Sequence, residues 1–237
     1  MKKKEIKKQA EIQIDNHRFT CELVIPMGST AMVLFCHGSG SSRFSPRNQA
    51  VANYLNEHGI GTLLFDLLTP AEDQLVKNRF DIDMISERLV RITSELINQH
   101  QLEDFRLGYF GASTGAAAAL RASIELPDRI QAIVCRGGRP DLAIDILHQV
   151  QAPTLYLVGE MDQEVIELND MAYKSMNCAS EMMIVPGATH LFEEPGTLNA
   201  VAEKASDWFN KYLVVQKEKV ASEEETRVPE LMEEGVF

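Results

Sequence analysis

Four cysteines are scattered along the 237 residues, at Cys21, Cys36, Cys135 and Cys178, and no two form a C-x-x-C pair. That spacing argues against a zinc ribbon or a thiol redox motif, and free thiols suit a reducing, cytoplasmic setting. Basic charge is short as well: 23 Lys and Arg stand against 35 Asp and Glu, a net charge of −12. Such a balance argues against general nucleic-acid binding. No apolar run approaches the ~20 residues of a membrane-spanning helix. The basic start, Met1 to Lys8, lacks the apolar stretch that follows in a secretory signal, and it lacks an anchor for membrane-surface binding. Internal repeats and Pro/Gly/Ser-rich linkers are also missing. The length suits one large α/β domain, expected over residues 11–215. A basic segment (1–10) precedes it, with Lys2 to Lys8 read as a frayed, solvated start. An acidic tail (216–237) follows, dominated by Glu223, Glu224, Glu225, Glu230, Glu233 and Glu234. So few core-forming residues predict a flexible or loosely docked tail, with Leu231 or Phe237 as docking candidates.

What is present is an alternation of apolar runs and amphipathic stretches. Glu11 to Asp15 and Phe19 to Ile25 alternate in polarity on either side of Asn16-His17-Arg18, which predicts an antiparallel hairpin. Ala31 to Cys36, Ile60 to Leu68, Arg106 to Phe110, Ile130 to Cys135, Pro153 to Val158 and Glu181 to Val185 read as strands, several as continuous apolar runs covered on both faces. Helical patterns lie between them: Pro46 to Glu57, ending at His58-Gly59; Asp81 to Gln99, with Ile82, Ile85, Leu89, Ile92 and Leu96 in register; Ala116 to Leu126; Val165 to Met176; and Leu198 to Leu213. Ala71 to Phe80 reads as irregular. Asp141 to Val150 reads as a short helix that Asp141 would cap. Strands alternating with helices after a hairpin predict a mostly parallel sheet with helices on both faces. Ligands of such sheets gather at the carboxyl ends of the strands.

Several chemically useful groups fall at that rim. Gly111-Ala112-Ser113-Thr114-Gly115 fits G-x-S-x-G between a strand and an alanine-rich helix, the context that pattern requires. A sharp turn there strains the central residue and leaves Ser113 projecting over a helix N-terminus, where developing negative charge is favoured. A serine hydroxyl needs a base, and the base needs an orienting acid. His190, in the loop after the last strand, is the expected base; His17, His58, His100 and His148 lie in turns or helices, and His37 holds its own loop. Asp162 is the expected acid, with Glu160 in reserve, and Asp66 is read as capping a loop. The order Ser, Asp, His matches this strand–turn–helix scaffold. The backbone N–H groups of Thr114 and Ser39 are expected to hold the oxyanion, the latter freed to approach substrate by Gly38 and Gly40. Arg136 and Arg139 follow a strand, and either a substrate carboxylate or phosphate, or a salt bridge to Asp141, would occupy them.

Taken together, His37-Gly38-Ser39-Gly40, Gly111-Ala112-Ser113-Thr114-Gly115, Gly159-Glu160-Met161-Asp162 and Gly187-Ala188-Thr189-His190 resemble the α/β-hydrolase superfamily. The resemblance runs from Ala31 to Leu213 and is nearest to small, dienelactone hydrolase-like members. It implies an eight-stranded sheet with one antiparallel strand and ester hydrolysis. Dienelactone hydrolase itself uses a cysteine nucleophile, whereas this chain has Ser113. The stretch between Arg136 and Pro153 is too short for a lid domain, so an open pocket for a modest ester, lactone or thioester is expected. No metal or organic cofactor is expected. Two other readings compete. Gly38-Ser39-Gly40 followed by Asp66 hints at a dinucleotide site, but Arg43 stands where the third glycine of G-x-G-x-x-G belongs. A relative of the fold that binds a partner without catalysis is the other.

Overall fold

The computed structural model describes residues 5–98 and 103–214. His100 and the acidic tail with Leu231 and Phe237 lie outside the described residues. Eight strands form one sheet: β1 (Glu5–Ile14), β2 (His17–Pro26), β3 (Ala31–Cys36), β4 (Gly61–Phe65), β5 (Arg106–Ala112), β6 (Ile130–Arg136), β7 (Thr154–Gly159) and β8 (Ser180–Val185). Their spatial order is β1-β2-β4-β3-β5-β6-β7-β8. β2 runs antiparallel to both of its neighbours, and every other pairing is parallel. The sheet therefore has the single reversed strand that the resemblance implied.

The helices are α1 (Pro46–Glu57), α2 (Pro70–Asp73), α3 (Ile82–Asn98), α4 (Thr114–Glu125), α5 (Gln163–Lys174) and α6 (Thr197–Leu213). Buried strand residues alternate between the two faces, as a pleat demands. On β3, Met32, Leu34 and Cys36 join the core under α3, α4 and α5, while Ala31, Val33 and Phe35 join the core under α1 and α6. Both faces are covered, which is why β3 reads as an unbroken apolar run. Cys36 and Cys135 are buried free thiols, and burial pushes both well above the usual thiol range.

Three local expectations are corrected. The hairpin is longer than its alternation suggested: β1 pairs with β2 from Glu5 to Ile14, so residues 5–8, expected to fray, are in register with Leu23 to Pro26. Its tight turn falls at Asp15, which has a φ of 51°. Ala71 to Phe80 is ordered as α2 and a 3₁₀ turn, Val76–Phe80. Thr69 accepts the Glu72 N–H while the Glu72 side chain accepts the Thr69 N–H, a full capping box with Pro70 opening the helix. Asp141 to Val150 is not one helix but two 3₁₀ turns, Pro140–Ala143 and Leu147–Gln149. Asp141 makes no cap there, because its carboxylate is taken by Arg139 through Nε and Nη2, each at 2.8 Å.

Candidate active site

The turn between β5 and α4 sets the site. Ser113 stands at the N-cap of α4 with φ 51° and ψ −123°, a backbone state that a side-chain-bearing residue holds only when its surroundings impose it. Those surroundings are two backbone crossings. A Cβ on Gly111 would lie 2.5 Å from Ala116 Cα, and one on Gly115 would lie 2.2 Å from the Cys36 carbonyl oxygen. Only glycine permits α4 to sit this close to β3 and β5. The Ser113 N–H donates to the Arg136 carbonyl at 3.3 Å, and its own carbonyl accepts the Ala116 and Arg139 N–H groups at 3.0 Å each. The strained turn is thus stitched to the end of β6.

The loops after β7 and β8 bring the acid and the imidazole together. Met161 N–H donates to the Ala188 carbonyl at 2.9 Å, and Glu160 N–H to the Val185 carbonyl at 3.0 Å. His190 Nδ1 donates to Asp162 Oδ2 at 2.6 Å. This contact makes Nδ1 the protonated nitrogen and leaves Nε2 as the free lone pair. Glu160, the reserve acid, is otherwise engaged: its Oε2 accepts the Gly187 N–H at 2.7 Å. Glu194 braces the same loop by accepting the Thr189 N–H and hydroxyl at 3.1 and 2.6 Å. Those bonds hold its carboxyl below the usual range.

Ser113 and His190 line one cleft of ≈ 270 Å³, together with Ser39, Ser41, Arg136 and Leu191. Its wall also includes Ser45, Arg47 and Asn48, which the sequence reading did not single out. The available signal was their position at the end of the His37 turn and the start of α1. Among the described residues, no group of three or more His, Cys, Asp or Glu side chains is arranged to hold a metal ion.

The two expected oxyanion donors differ in what they meet. The Thr114 N–H opens α4 and so has no intrahelical acceptor. The Ser39 N–H is not free: it donates to Thr114 Oγ1 at 2.8 Å. The threonine that follows the nucleophile places its hydroxyl in reach of the glycine turn, a contact between residues 75 positions apart. His37 holds that turn from beneath. Its Nε2 accepts the Leu67 N–H at 3.0 Å and its Nδ1 donates to the Gly38 carbonyl at 3.0 Å, so the ring is neutral. Burial keeps it below the usual histidine range. Asp66 accepts the Arg43 N–H at 2.7 Å and also pairs with the Arg43 guanidinium. Arg43 therefore closes the loop where a nucleotide-binding turn would carry its third glycine. Of the two arginines after β6, Arg139 is held by Asp141. Arg136 is 8% exposed, and its Nε and Nη1 meet no acceptor.

An open, mostly parallel α/β sheet, with a strained serine elbow and an Asp–His pair at the carboxyl rim, defines a domain of the hydrolase type. The alpha/beta hydrolase fold family model matches residues 31–172, a span that holds Ser113 and Asp162. A dienelactone hydrolase from Anabaena variabilis is 46% identical with a TM-score of 0.85, over 88% of this chain and 99% of that one. The chain belongs to the α/β-hydrolase family and is dienelactone hydrolase-like. The esterase domain of a Rhodothermus marinus protein shares the fold at 17% identity and a TM-score of 0.70, over 87% of this chain and 99% of that one. Two Mycobacterium tuberculosis strains carry a putative phosphoribosyl transferase that is 51% identical over 191 residues, 81% of this chain. The chain spans only 43% of the length of those relatives.

Proposed function

We propose that this chain hydrolyses a small carboxylic ester, lactone or thioester through an acyl-enzyme on Ser113. The observation that carries this reading is the 2.6 Å contact between Asp162 and His190, an imidazole that lines the same cleft as the elbow serine. Ser113 Oγ attacks the carbonyl carbon as its proton passes to His190 Nε2. Asp162 holds the imidazole in the required tautomer and stabilises the imidazolium. The alkoxide meets the Thr114 N–H. It is also a stronger acceptor than a neutral hydroxyl, so it draws the Ser39 N–H from Thr114 Oγ1 as charge develops. The protonated imidazole gives its proton to the departing oxygen or sulfur. Water then attacks the acyl carbon, loses a proton to His190, and the serine is regenerated.

The names of the Anabaena and Rhodothermus proteins support this chemistry by likeness. The short connection after β6 has no room for a lid domain, which favours a substrate of modest size. Its partner in this reading is the ester itself, and the chemistry needs no group beyond these side chains. A fluorophosphonate probe read by intact mass tests it: wild type gains one adduct and Ser113→Ala none. Equal labelling of both, or none of either together with no turnover on an ester panel, removes the reading.

A further inference from the structure

We propose that Arg136, seconded by Arg47, is an anion subsite of the cleft, and that the substrate is an ester carrying a carboxylate or phosphate close to its scissile carbonyl. This deepens the hydrolase reading and rests on it. The argument begins with Arg136 itself. Its guanidinium is buried, its Nε and Nη1 touch no acceptor, and no carboxylate pairs with it among the described residues. An unpaired buried cation is expensive, and native interiors avoid one unless something else satisfies it. The nearest aromatic surface is the Phe192 ring, 6.0 Å from the guanidinium carbon, too far to replace an anion. Burial, and then the charge of Arg47, lower the Arg136 pKa to about 10, so the group is charged at neutral pH and repelled by its neighbour.

The second observation is the charge of the cleft. The whole chain has a net charge of −12, yet the cleft wall contains Arg47 and Arg136 and no Asp or Glu. Glu193 pairs with Arg47 at 3.0 Å but is two-thirds exposed and outside the wall. Arg47 Nε is itself buried without an acceptor. Position is the third observation. Arg136 is the β6 partner of Ala112, and its carbonyl accepts the Ser113 N–H, so its side chain starts one strand away from the nucleophile. Arg136 and Ser113 line the same cleft, so an anion bound there shares it with the carbonyl under attack. Arg139, three residues on, differs in being held by Asp141.

Three 4-nitrophenyl esters of similar size test the idea: butyrate, hemisuccinate and the 3-phosphonopropanoate. Wild type is expected to favour one or both anionic esters over butyrate by at least about tenfold in kcat/KM, the better of the two identifying carboxylate or phosphate as the group. In Arg136→Met that anionic-to-neutral ratio falls by at least about 30-fold, mostly through KM, while Arg139→Gln keeps it. An unchanged ratio in Arg136→Met overturns the proposal. Calorimetry with succinate and with inorganic phosphate gives a readout that needs no turnover. Binding by wild type that weakens at least tenfold in Arg136→Met supports the subsite even if no ester is cleaved, which would count against the hydrolase reading alone. Turnover with no anion binding and an unchanged ratio sinks the subsite and spares the hydrolase. A thermal midpoint of Arg136→Met no lower than wild type fits a cation without partners; a clear loss of stability marks a structural residue and overturns the assignment.

Discussion

At the scale of single residues, Ser113 carries both strain and chemistry. Its φ of 51° is imposed by the crossings at Gly111 and Gly115, and such a state costs roughly 1–3 kcal/mol in a residue with a side chain. Ser113→Gly is therefore expected to be more stable than Ser113→Ala by about 1 kcal/mol in urea unfolding, part of the relief being offset by glycine's greater freedom when unfolded. Both variants are expected to lose ester turnover. Thr114 makes a different kind of prediction. Its hydroxyl accepts the Ser39 N–H at 2.8 Å, so Thr114→Val leaves that amide without an acceptor and costs about 1 kcal/mol, whereas Thr114→Ser keeps most of the stability. Equal stabilities for the two would show that the contact contributes nothing. The sequence favours Asp162 over Glu160 for its shorter side chain and its deeper place in the loop. The structure separates them because Glu160 faces the turn at Gly187 and Asp162 faces the imidazole.

At the scale of elements, close packing of α4 on β3 is what aims the nucleophile. A Cβ at Gly115 would meet the Cys36 carbonyl at 2.2 Å, and that backbone is locked in the sheet centre, so Gly115→Ala is expected to cost roughly 3 kcal/mol or more. Urea denaturation checks this, and a loss under about 1 kcal/mol would mean the helix can shift freely. α2 depends on a local device instead. Its capping box joins Thr69 and Glu72, and Arg88 on α3 clasps the same glutamate at 2.8 Å while donating to the Leu67 carbonyl. Thr69→Ala is expected to cost about 1 kcal/mol and to raise amide exchange from Thr69 to Asp73 before that of β4. Thr69-Pro70-Ala71-Glu72 carries the capping signature in its spelling. Polarity hid it, because the helix buries no residue and shows no apolar period. The break at residues 141–150 had no such local signal, since Arg139 takes the would-be cap.

At the scale of the whole molecule, pH acts in two stages. His37 is buried neutral, with a folded pKa below its ordinary 6.5, so its contribution to stability is complete above about pH 6.5 and declines as pH falls toward the folded value. Glu72 is lowered from 4.5 to about 2, chiefly by the Arg88 hydrogen bond, so its contribution is complete above pH 4.5 and is lost between 4.5 and about 2. Unfolding followed against pH should show both limbs, and Glu72→Gln should flatten the lower one by about 1 kcal/mol after solvent screening. An unaltered lower limb would refute the assignment. The order of strands and helices, the two-sided core and the serine elbow were already determined by the chain's own pattern. Apolar periodicity and glycine placement are local properties, and β3 or Gly111 to Gly115 state them within a few residues. What only the tertiary structure decided was how closely remote groups meet: Asp162 at 2.6 Å from His190, the Ser39 N–H on the Thr114 hydroxyl, and Arg136 without a carboxylate partner among the described residues. Hydrogen bonds and ion pairs depend on ångström-scale convergence of loops from different strands, and composition and spacing carry no information about that distance.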